Sequence, residues 1–509
     1  MFSNVNSVGL FGLNAFSVTV EASNSQGTPT FDIVGLPDAA VQESKARIRA
    51  VLGHMNIKAF NGRITVNLAP ASVKKIGSIF DLPITVALME LSGVITANHT
   101  DCAFIGELSL DGRLAPINGV LSMVITAMKN GIKRIFLPSA NAREASVVDG
   151  IEVYGVRHLS EVQEYFSHGT GLHPEKRYIP IEDKLEHIPD FADVMGQFAA
   201  KQAVEVAAAG SHNILMLGPP GSGKSMIAKR IPSIMPKITF AESIETTQIH
   251  SVAGMIDPAN PLVTHRPFRA VSHTASAVGL IGGGSIPRPG EISLAHNGVL
   301  FLDELPEFDR NVLETLRQPV ENGEITISRA SGSVSYPCDV MLVAAMNPCP
   351  CGNFGNPQKK CTCTEKQVKA YLHRISRPVL DRIDIQVELK PVNYEDLSTR
   401  TPQETSEQIA QRVQKARDIQ AKRYSGTAIK SNSGITSDII GEVCRMTDDA
   451  TETLKFAFNK LGLSARAYDR ILKVARTCAD LDGAEIIGKP HISQAISFRS
   501  LDRKYWDNV

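Results

Sequence analysis

Hydrophobic residues follow two different spacings along the first third of the chain. Residues 16–21 alternate apolar and polar positions, which predicts a half-buried strand. Residues 38–52 carry apolar side chains at helical spacing, and the turn Asp111-Gly112 after an apolar run predicts a hairpin. The same criteria predict strands at 31–35, 64–68 and 134–138 and helices at 82–91 and 119–130. The pattern therefore predicts a mixed α+β unit over residues 1–166.

A different pattern begins at residue 212, where a short apolar run precedes a glycine-rich stretch and a helical segment. The stretch reads G-x-x-x-x-G-K-[ST], a spacing that cradles nucleotide phosphates with backbone N–H groups. In such a loop the lysine contacts the β- and γ-phosphates and the hydroxyl holds Mg²⁺. We expect Lys224 to be catalytic and Ser225 to be a magnesium ligand. The predicted ATP-binding residues here are Gly218, Pro219, Pro220, Gly221, Ser222, Gly223, Lys224, Ser225 and Met226.

Two further apolar runs end in polar residues that suit the chemistry of ATP hydrolysis. Residues 299–302 predict a buried strand that delivers Asp303 and Glu304 at its carboxyl end, where ligands of open parallel sheets bind. We expect Asp303 to support Mg²⁺ and Glu304 to deprotonate the attacking water. A third strand, 340–346, ends at Asn347, which would reach the γ-phosphate or that water. Taken alone, each of these endings is also compatible with an ordinary polar turn.

Composition places the chain among globular proteins and narrows the kind of partner it has. Its 509 residues suggest about three domains. The 53 basic and 53 acidic residues leave no net charge, so contact with nucleic acid would need local basic patches. No apolar run reaches the roughly 18 residues of a membrane span, and the N-terminus lacks a basic signal region. These features predict a cytoplasmic protein without a membrane partner.

Four of the eight cysteines crowd into fifteen residues, in a C-x-C…C-x-C arrangement. Four thiolates suit tetrahedral Zn²⁺, although the usual pair is C-x-x-C. Free thiols and disulfides are the alternatives. The candidate zinc ligands are Cys349, Cys351, Cys361 and Cys363.

The stretch Ser376 to Asp384 resembles the helix-2-insert branch of the AAA+ ATPases, which includes magnesium-chelatase subunits and MCM helicases. Together with residues 289–298 and the cysteines, the whole chain resembles the ComM/YifB family. The resemblance implies that Arg382 is an arginine finger acting on the nucleotide of a neighbouring subunit, and hence a ring, by resemblance a hexamer. A surface salt bridge with Asp381 or Asp384 is the alternative. The resemblance also makes Arg466 the second sensor of the γ-phosphate, with Arg470 as the competing choice.

Two glycine-containing segments distinguish the resembling core. Residues 248–291 match the helix-2 insert of the family, and alternation around a turn at 329–332 predicts a hairpin over 324–336. In ring helicases these elements line the pore and grip DNA phosphates. By that resemblance Arg329 is the first DNA-binding candidate. Arg266, Arg269 and Arg288 are secondary candidates, and loops that only pack between subunits are the alternative.

The first unit resembles the proteolytic domain of Lon-type proteases, a fold like ribosomal protein S5 domain 2, on residues 106–117 and 131–138. That protease family uses a Ser–Lys pair, in which the lysine activates the hydroxyl. At the matching positions this chain has Ile79 and Leu121. The pair is therefore predicted to be absent, which favours a docking or ring-building role.

The resemblance and the patterns together predict an α/β multidomain ATPase. Its predicted parts are the Lon-like unit 1–166, a linker 167–190, an AAA+ P-loop core 191–391 and a helical lid 392–509. The implied function is an ATP- and Mg²⁺-dependent hexameric DNA helicase, acting on single-stranded or branched DNA and promoting branch migration in natural transformation. The alternative is a magnesium-chelatase-like ATPase that remodels a protein partner. An ATP-dependent protease is disfavoured by the missing pair.

Overall fold

The first unit of the fold is a mixed sheet between two helical layers. The computed structural model describes residues 2–58, 61–180, 189–284, 287–329, 332–391 and 403–507. The strands of the first unit are β1 (Phe2–Phe11), β2 (Asn14–Ser25), β3 (Thr30–Val34), β4 (Arg63–Ala69), β5 (Cys102–Phe104), β6 (Glu107–Leu108), β7 (Leu114–Ala115), β8 (Arg134–Pro138) and β9 (Glu152–Val156). Seven of the described strands form one sheet in the order β3-β4-β2-β1-β5-β8-β9, and β6 pairs with β7 as the predicted hairpin.

Both faces of this sheet are covered, which explains why its strands alternate between two apolar clusters. The helices Ala39–His54, Asp81–Leu91 and Leu159–His168 pack on one face with Phe104 and Phe136. The helices Val120–Lys129 and Ser139–Ala145 pack on the other face, against Ile135 and its neighbours. Side chains of successive strand residues point to opposite faces, so each strand contributes to both clusters.

The predicted elements of this unit are confirmed, but the structure adds others. The strands β1, β5 and β9 and the helix Leu159–His168 were not predicted. Strand β1 contains serine and asparagine at several positions, so its pattern is weak. It forms because it pairs along its whole length with β2, from Phe2 opposite Ser23 to Phe11 opposite Asn14.

Apolar side chains stand at the two positions where the Lon-type proteases have a Ser–Lys pair. Leu121 is fully buried, and Ile79 packs against the same cluster. Neither side chain offers a nucleophile or a base. The loss of the proteolytic pair rests on these two residue identities and stays a prediction.

The second unit contains an all-parallel sheet whose order is β11-β14-β17-β10-β18. Its strands, with the short ribbons between them, are β10 (Ile214–Leu217), β11 (Phe268–Val271), β12 (Gly282–Gly283), β13 (Arg288–Pro289), β14 (Val299–Leu302), β15 (Glu324–Arg329), β16 (Gly332–Pro337), β17 (Met341–Met346) and β18 (Ile385–Glu388). The predicted hairpin is confirmed as β15 and β16, with residues 330–331 of its tip outside the described residues. The helix-2 insert predicted over 248–291 needs correction, because it contains β11, a strand of the central sheet.

Helices cover this sheet, and those of the C-terminal region share a cluster with it. The helices of the core are Phe198–Gly210, Lys224–Ala228, Ile231–Ile234, Phe240–Ala253, Ala277–Ile281, Glu291–Leu294, Arg310–Thr315, Arg317–Asn322, Glu365–Leu372 and Arg377–Leu380. The C-terminal helices are Ser406–Arg423, Ile440–Val443, Asp448–Leu461, Ala465–Leu481 and Lys489–Ser497. These C-terminal helices pack on the helix Phe198–Gly210 in one continuous apolar cluster. Residues 181–188 of the predicted linker and 392–402 of the predicted lid lie outside the described residues.

None of the helices in the described ranges has the length and apolarity needed to cross a bilayer.

The first unit contacts the second through hydrogen bonds to the helix Phe240–Ala253. The buried carboxylate of Glu144 accepts hydrogen bonds from the backbone N–H of Leu121, at 3.1 Å, and from the hydroxyl of Ser251 on that helix. Gln248 on the same helix donates to Ser122 at 3.1 Å. Burial raises the pKa of Glu144 above its usual value. The acidic group therefore joins the two units in a place that water does not reach.

The turn between β1 and β2 touches the β15–β16 hairpin. A Cβ added at Gly12 would lie 2.1 Å from Cγ1 of Val334, and one at Gly332 would lie 2.9 Å from the ring of Phe11. The turn of the first unit thus contacts the first residues of β16, at the end of the hairpin where Gly332 pairs with Arg329.

We predict that Glu144→Ala weakens the junction between the two units. The change leaves the N–H of Leu121 and the hydroxyl of Ser251 buried without this acceptor, which costs about 1–3 kcal/mol. Thermal unfolding should begin at a lower temperature. The control Glu175→Ala removes an exposed carboxylate and should melt like the wild type. Equal melting temperatures for the two variants would show that Glu144 does not stabilise the junction.

Candidate nucleotide site

The glycine-rich loop lies at the carboxyl end of β10, and the helix Lys224–Ala228 follows it directly. Gly221 and Gly223 have φ of 77° and 91°, a left-handed backbone that glycine adopts without strain. A Cβ at Gly218 would lie 2.7 Å from the carbonyl oxygen of Leu389. The loop therefore needs glycine at these three positions to keep its shape.

The ends of three parallel strands meet at this loop. The hydroxyl of Ser225 donates to Oδ2 of Asp303, at the end of β14, with a distance of 2.7 Å. Nζ of Lys224 donates to Oδ1 of Asn347, at the end of β17, with a distance of 3.2 Å. The predicted magnesium residues, Ser225 and Asp303, are thus in direct contact, and the predicted lysine and asparagine are also paired.

Burial lowers the pKa of Lys224 to about 8, partly offset by the nearby charges of Asp303 and Glu304. The ammonium also donates to the carbonyl oxygens of Gly218 and Pro219, at 2.7 and 2.9 Å. A polyanion bound at the loop would favour the charged lysine. The site is therefore built to receive negative charge.

Glu304 has the left-handed backbone of a residue that follows a sharp turn, with φ of 53°. Its side chain is 55% exposed, so water reaches the carboxylate, as a residue that acts on water requires. Nδ1 of His273 lies 3.3 Å from Oε2 of Glu304. His273 could not be predicted from the sequence, because this histidine follows β11, a strand that was not predicted.

Gln197 is a second residue of the site that was not predicted from the sequence. Its Nε2 donates to the carbonyl oxygen of Ser222 at 3.1 Å and to that of Lys390 at 2.7 Å. It therefore ties the segment before the helix Phe198–Gly210 to the phosphate loop and to the end of β18. Its contacts span 193 residues of sequence, and no local motif marks them.

Arg382 is mostly buried beside an apolar pocket and makes an ion pair with Glu321. Its Nη1 donates to the carbonyl oxygen of Pro378 at 3.1 Å, and its Nε is buried without a hydrogen-bond partner. The alternative prediction was a salt bridge of Arg382 with Asp381 or Asp384. The structure shows a salt bridge, but its acidic partner is Glu321. Asp384 instead lies 3.4 Å from Nε of Arg470.

That contact places Arg470 away from the phosphate loop. Asp384 immediately precedes β18, at the amino edge of the parallel sheet, whereas the loop lies at the carboxyl edge. Arg466 is exposed at the start of the helix Ala465–Leu481. Within the described ranges no hydrogen bond or ion pair joins Arg466 to the loop, so its contact with the γ-phosphate stays a prediction.

The four DNA-binding candidates separate into two groups. Arg266 is 7% exposed and donates to the carbonyl oxygens of Pro236 and Asn297, at 2.5 and 2.8 Å. Arg269 lies on β11 and makes two bonds to Glu291, at 2.6 and 2.8 Å. Both guanidinium groups are therefore engaged in internal bonds, and their contact with DNA stays a prediction.

Arg329 and Arg288 are exposed and lie near each other. Arg288 is paired in register with Gly283, and Nε of Arg329 lies 3.4 Å from the carbonyl oxygen of Gly284. Nη1 of Arg329 also donates to the carbonyl oxygen of Ser328 at 3.3 Å. Two short ribbons, β12–β13 and β15–β16, thus present two exposed cations at one place on the surface.

The sulfur atoms of the four predicted cysteine ligands converge. The Sγ of Cys349 lies 3.4 Å from that of Cys351 and 3.7 Å from that of Cys361, and all four lie within 4.8 Å of one another. A tetrahedral zinc with Zn–S bonds of about 2.3 Å holds its sulfurs about 3.8 Å apart. The cysteines form no disulfide, and backbone N–H groups lower the pKa of Cys351 to about 5. The set fits a tetrahedral metal ion.

Family models match most of this chain. The model "Subunit ChlI of Mg-chelatase" matches residues 20–141, "Magnesium chelatase, subunit ChlI" matches 190–397, and "Magnesium chelatase, subunit ChlI C-terminal" matches 403–499.

Similarity to whole proteins extends over almost the full length. The chain is 42% identical over 502 residues to competence protein ComM of Haemophilus influenzae, covering 97% of this chain and 96% of that protein. It is 40% identical over 505 residues to the uncharacterized protein YifB of Escherichia coli, covering 98% and 97%. The chain belongs to the ComM/YifB family of magnesium-chelatase-like AAA+ proteins. A weaker similarity, 27% over 206 residues, relates it to the magnesium-chelatase 67 kDa subunit of Chlorobaculum parvum, covering 40% of this chain and 27% of that one.

Membership of this family implies an ATPase that uses ATP with Mg²⁺. The geometry agrees with that activity, because the ComM/YifB chain places a lysine, a hydroxyl, two carboxylates and an amide around one phosphate-binding loop. Among these residues Glu304 is the exposed acid beside the magnesium pair.

We predict that Glu304→Gln binds ATP but turns it over about 10²–10⁴ times more slowly, because the amide cannot accept a proton from water. Phosphate release and binding of a fluorescent ATP analogue measure the two steps. Glu307→Gln, which changes a nearby glutamate bonded to Arg374, is the control and should keep its turnover. Wild-type turnover in Glu304→Gln would contradict the assignment of the base.

Proposed function

We propose that this protein assembles into a hexameric AAA+ ring that hydrolyses ATP to drive branch migration of recombining DNA during natural transformation. The relative that is 42% identical along its whole length is a competence protein, which supports a role on DNA. The observation that carries the proposal is the exposed pair Arg288 and Arg329 on two adjacent ribbons. Cations that face solvent on projecting ribbons suit contact with the phosphate backbone.

The two ribbons precede strands that lead to the ATP site. The β15–β16 hairpin is followed by β17, which leads to Asn347, and the β12–β13 ribbon is followed by the helix Glu291–Leu294 and then β14, which leads to Asp303 and Glu304. A displacement of either ribbon by DNA would reach the ATP site along these strands. This connection is what a motor that couples hydrolysis to DNA movement requires.

A ring follows from the position proposed for Arg382. Within the described ranges no arginine of this chain bonds residues 218–225, and Lys224 is the cation that lies at the loop. A finger supplied by a neighbouring subunit accelerates phosphoryl transfer by about 10³–10⁵ in GTPases. Head-to-tail contacts of this kind close into rings. The buried, unpartnered Nε of Arg382 marks a guanidinium whose bonds are incomplete in the single chain.

The alternative function, remodelling of a protein partner, is supported less well. The magnesium-chelatase subunit shares similarity over 40% of this chain, whereas the competence protein shares it over 97%. We therefore retain the DNA motor as the proposal.

We further propose that the four clustered cysteines hold Zn²⁺, because four thiolates at these separations match its preferred ligand set and geometry.

We predict that Arg382→Ala and Glu304→Gln each abolish turnover alone but restore part of it when mixed. An Arg382→Ala pocket keeps its own Glu304 and receives Arg382 from a Glu304→Gln neighbour. Random mixing should recover on the order of a quarter of the wild-type rate. Phosphate release by equimolar mixtures checks this. A mixture of Glu304→Gln with Lys224→Ala and Arg382→Ala combined is the control, since none of its pockets is complete. No recovery in the first mixture would show that Arg382 does not act between subunits.

We predict that Arg329→Ala weakens DNA binding for all sequences and lowers its salt dependence by about one counterion for each subunit in contact. ATP turnover without DNA should stay near the wild-type rate. Fluorescence anisotropy with forked DNA at several salt concentrations measures the effect, and a junction-migration assay measures the motor. Arg157→Ala, which removes an exposed arginine of the first unit, is the control. Unchanged binding and migration in Arg329→Ala would remove the hairpin from the DNA-binding surface.

A further inference from the structure

The loop that carries the four cysteines touches the nucleotide site from two directions. It begins directly after β17, so that Cys349 stands two residues beyond Asn347, the partner of Lys224. Farther along, Gly352 packs against the phosphate loop, since a Cβ added there would lie 2.4 Å from Cδ of Pro220. Residues between the cysteines therefore pack against the phosphate loop.

The other side of this loop rests on the end of the chain. The ring of Phe354 meets the ring of Tyr505 edge-on, with centroids 6.1 Å apart. The hydroxyl of Tyr505 donates to Oε1 of Glu388 at 2.7 Å, and Glu388 is paired in register with Leu217, the residue before the phosphate loop. The cysteine loop is thus enclosed between the phosphate loop and a backing that is itself anchored to the same sheet.

The hydrogen bonds within this loop are short-range, such as those from the N–H of Gly352 to the carbonyl oxygen of Cys349 at 2.9 Å and from the N–H of Asn356 to that of Asn353 at 3.1 Å. Between Cys351 and Cys361 the chain has no helix or strand, and residues 357–360 are exposed. A cross-link that closes such a segment removes much of its conformational freedom. Four bonds to one metal ion would supply that closure and would fix Gly352 and Cys349 together.

We propose that a Zn²⁺ ion held by Cys349, Cys351, Cys361 and Cys363 positions Pro220 and Asn347, so that metal occupancy controls the affinity for ATP. This inference rests on the proposed zinc site and adds a regulatory role to it. Without the metal, Gly352 no longer supports the phosphate loop, and Asn347 loses its anchor two residues away. Cys349 is buried in the apolar cluster of the ATPase core and the other three cysteines pack against it, whereas the clusters of the first unit and of the C-terminal helices contain none of the four. Loss of the metal is therefore expected to act on the core around the phosphate loop and to leave the other two clusters in place.

Three variants distinguish the effect of losing the metal from the effect of disturbing the contact between Gly352 and Pro220. Cys351→Ser removes one ligand. Gly352→Ala keeps all four thiols but places a methyl group against Pro220. Gly355→Ala is the matched control, because Gly355 has nearly the same backbone, with φ of 75° against 77°, and its Cβ would meet only the hydroxyl of Tyr505 at 3.7 Å.

The experiment measures zinc per chain by elemental analysis and the Kd of a fluorescent ATP analogue, with circular dichroism to follow folding. We expect Cys351→Ser to lose zinc and to bind ATP about 10–100 times more weakly. Gly352→Ala should retain zinc and show a similar loss of affinity, whereas Gly355→Ala should retain both. Removing zinc from the wild type with a chelator should weaken ATP binding, and added Zn²⁺ should restore it, which tests the same point if a variant does not fold.

The possible contrary results distinguish the proposed coupling from the proposed zinc site. Wild-type affinity in Gly352→Ala with zinc present would overturn the coupling and leave the zinc site standing. An equal loss in Gly355→Ala would also overturn it, because backbone strain would then explain the effect. A wild-type chain that binds ATP but never zinc would remove the metal site and leave the ATPase proposal intact.

Discussion

Two hydrogen bonds are the constraint on which the rest of the site depends. One joins Lys224 to Asn347, and the other joins Ser225 to Asp303. Each bond joins the phosphate loop to the end of a different strand. Because the strands are parallel, their carboxyl ends lie at one edge, and β10 is hydrogen-bonded to β17, next to β14. The sheet thus delivers the cation, the amide and the acids to one place without long loops. A register error in any of the three strands would separate them.

Two elements near this edge contact the first unit. The hairpin that carries Arg329 continues into β17, and the first residues of β16 contact the turn that contains Phe11 and Gly12. The first unit also grips the helix Phe240–Ala253 through Glu144. The first unit therefore has a structural role, since it contacts both the helix and the hairpin.

Some polar groups near the site have incomplete hydrogen bonding within a single chain. Arg382 is paired with Glu321 but keeps a buried Nε without an acceptor, and Glu304 faces water beside His273. Desolvated groups with incomplete bonds are costly, so they persist where another state of the molecule completes them. In a ring, the neighbour and its nucleotide would be that completion. The half-exposed His273 would then be a contact that Glu304 exchanges for water during turnover.

The phosphate loop, the acidic strand, the hairpin and the cysteine spacing could all be predicted from the sequence. Each is encoded by residues close together in the chain, where spacing alone sets the geometry. The predicted loss of the Ser–Lys pair likewise rests on two residue identities. Tertiary structure decided the rest. It placed Arg269 on a strand of the central sheet, enclosed Arg266 among carbonyl oxygens, and brought His273 and Gln197 to the site. Those outcomes depend on contacts between distant segments, because burial and pairing are properties of the packed chain and not of any local pattern.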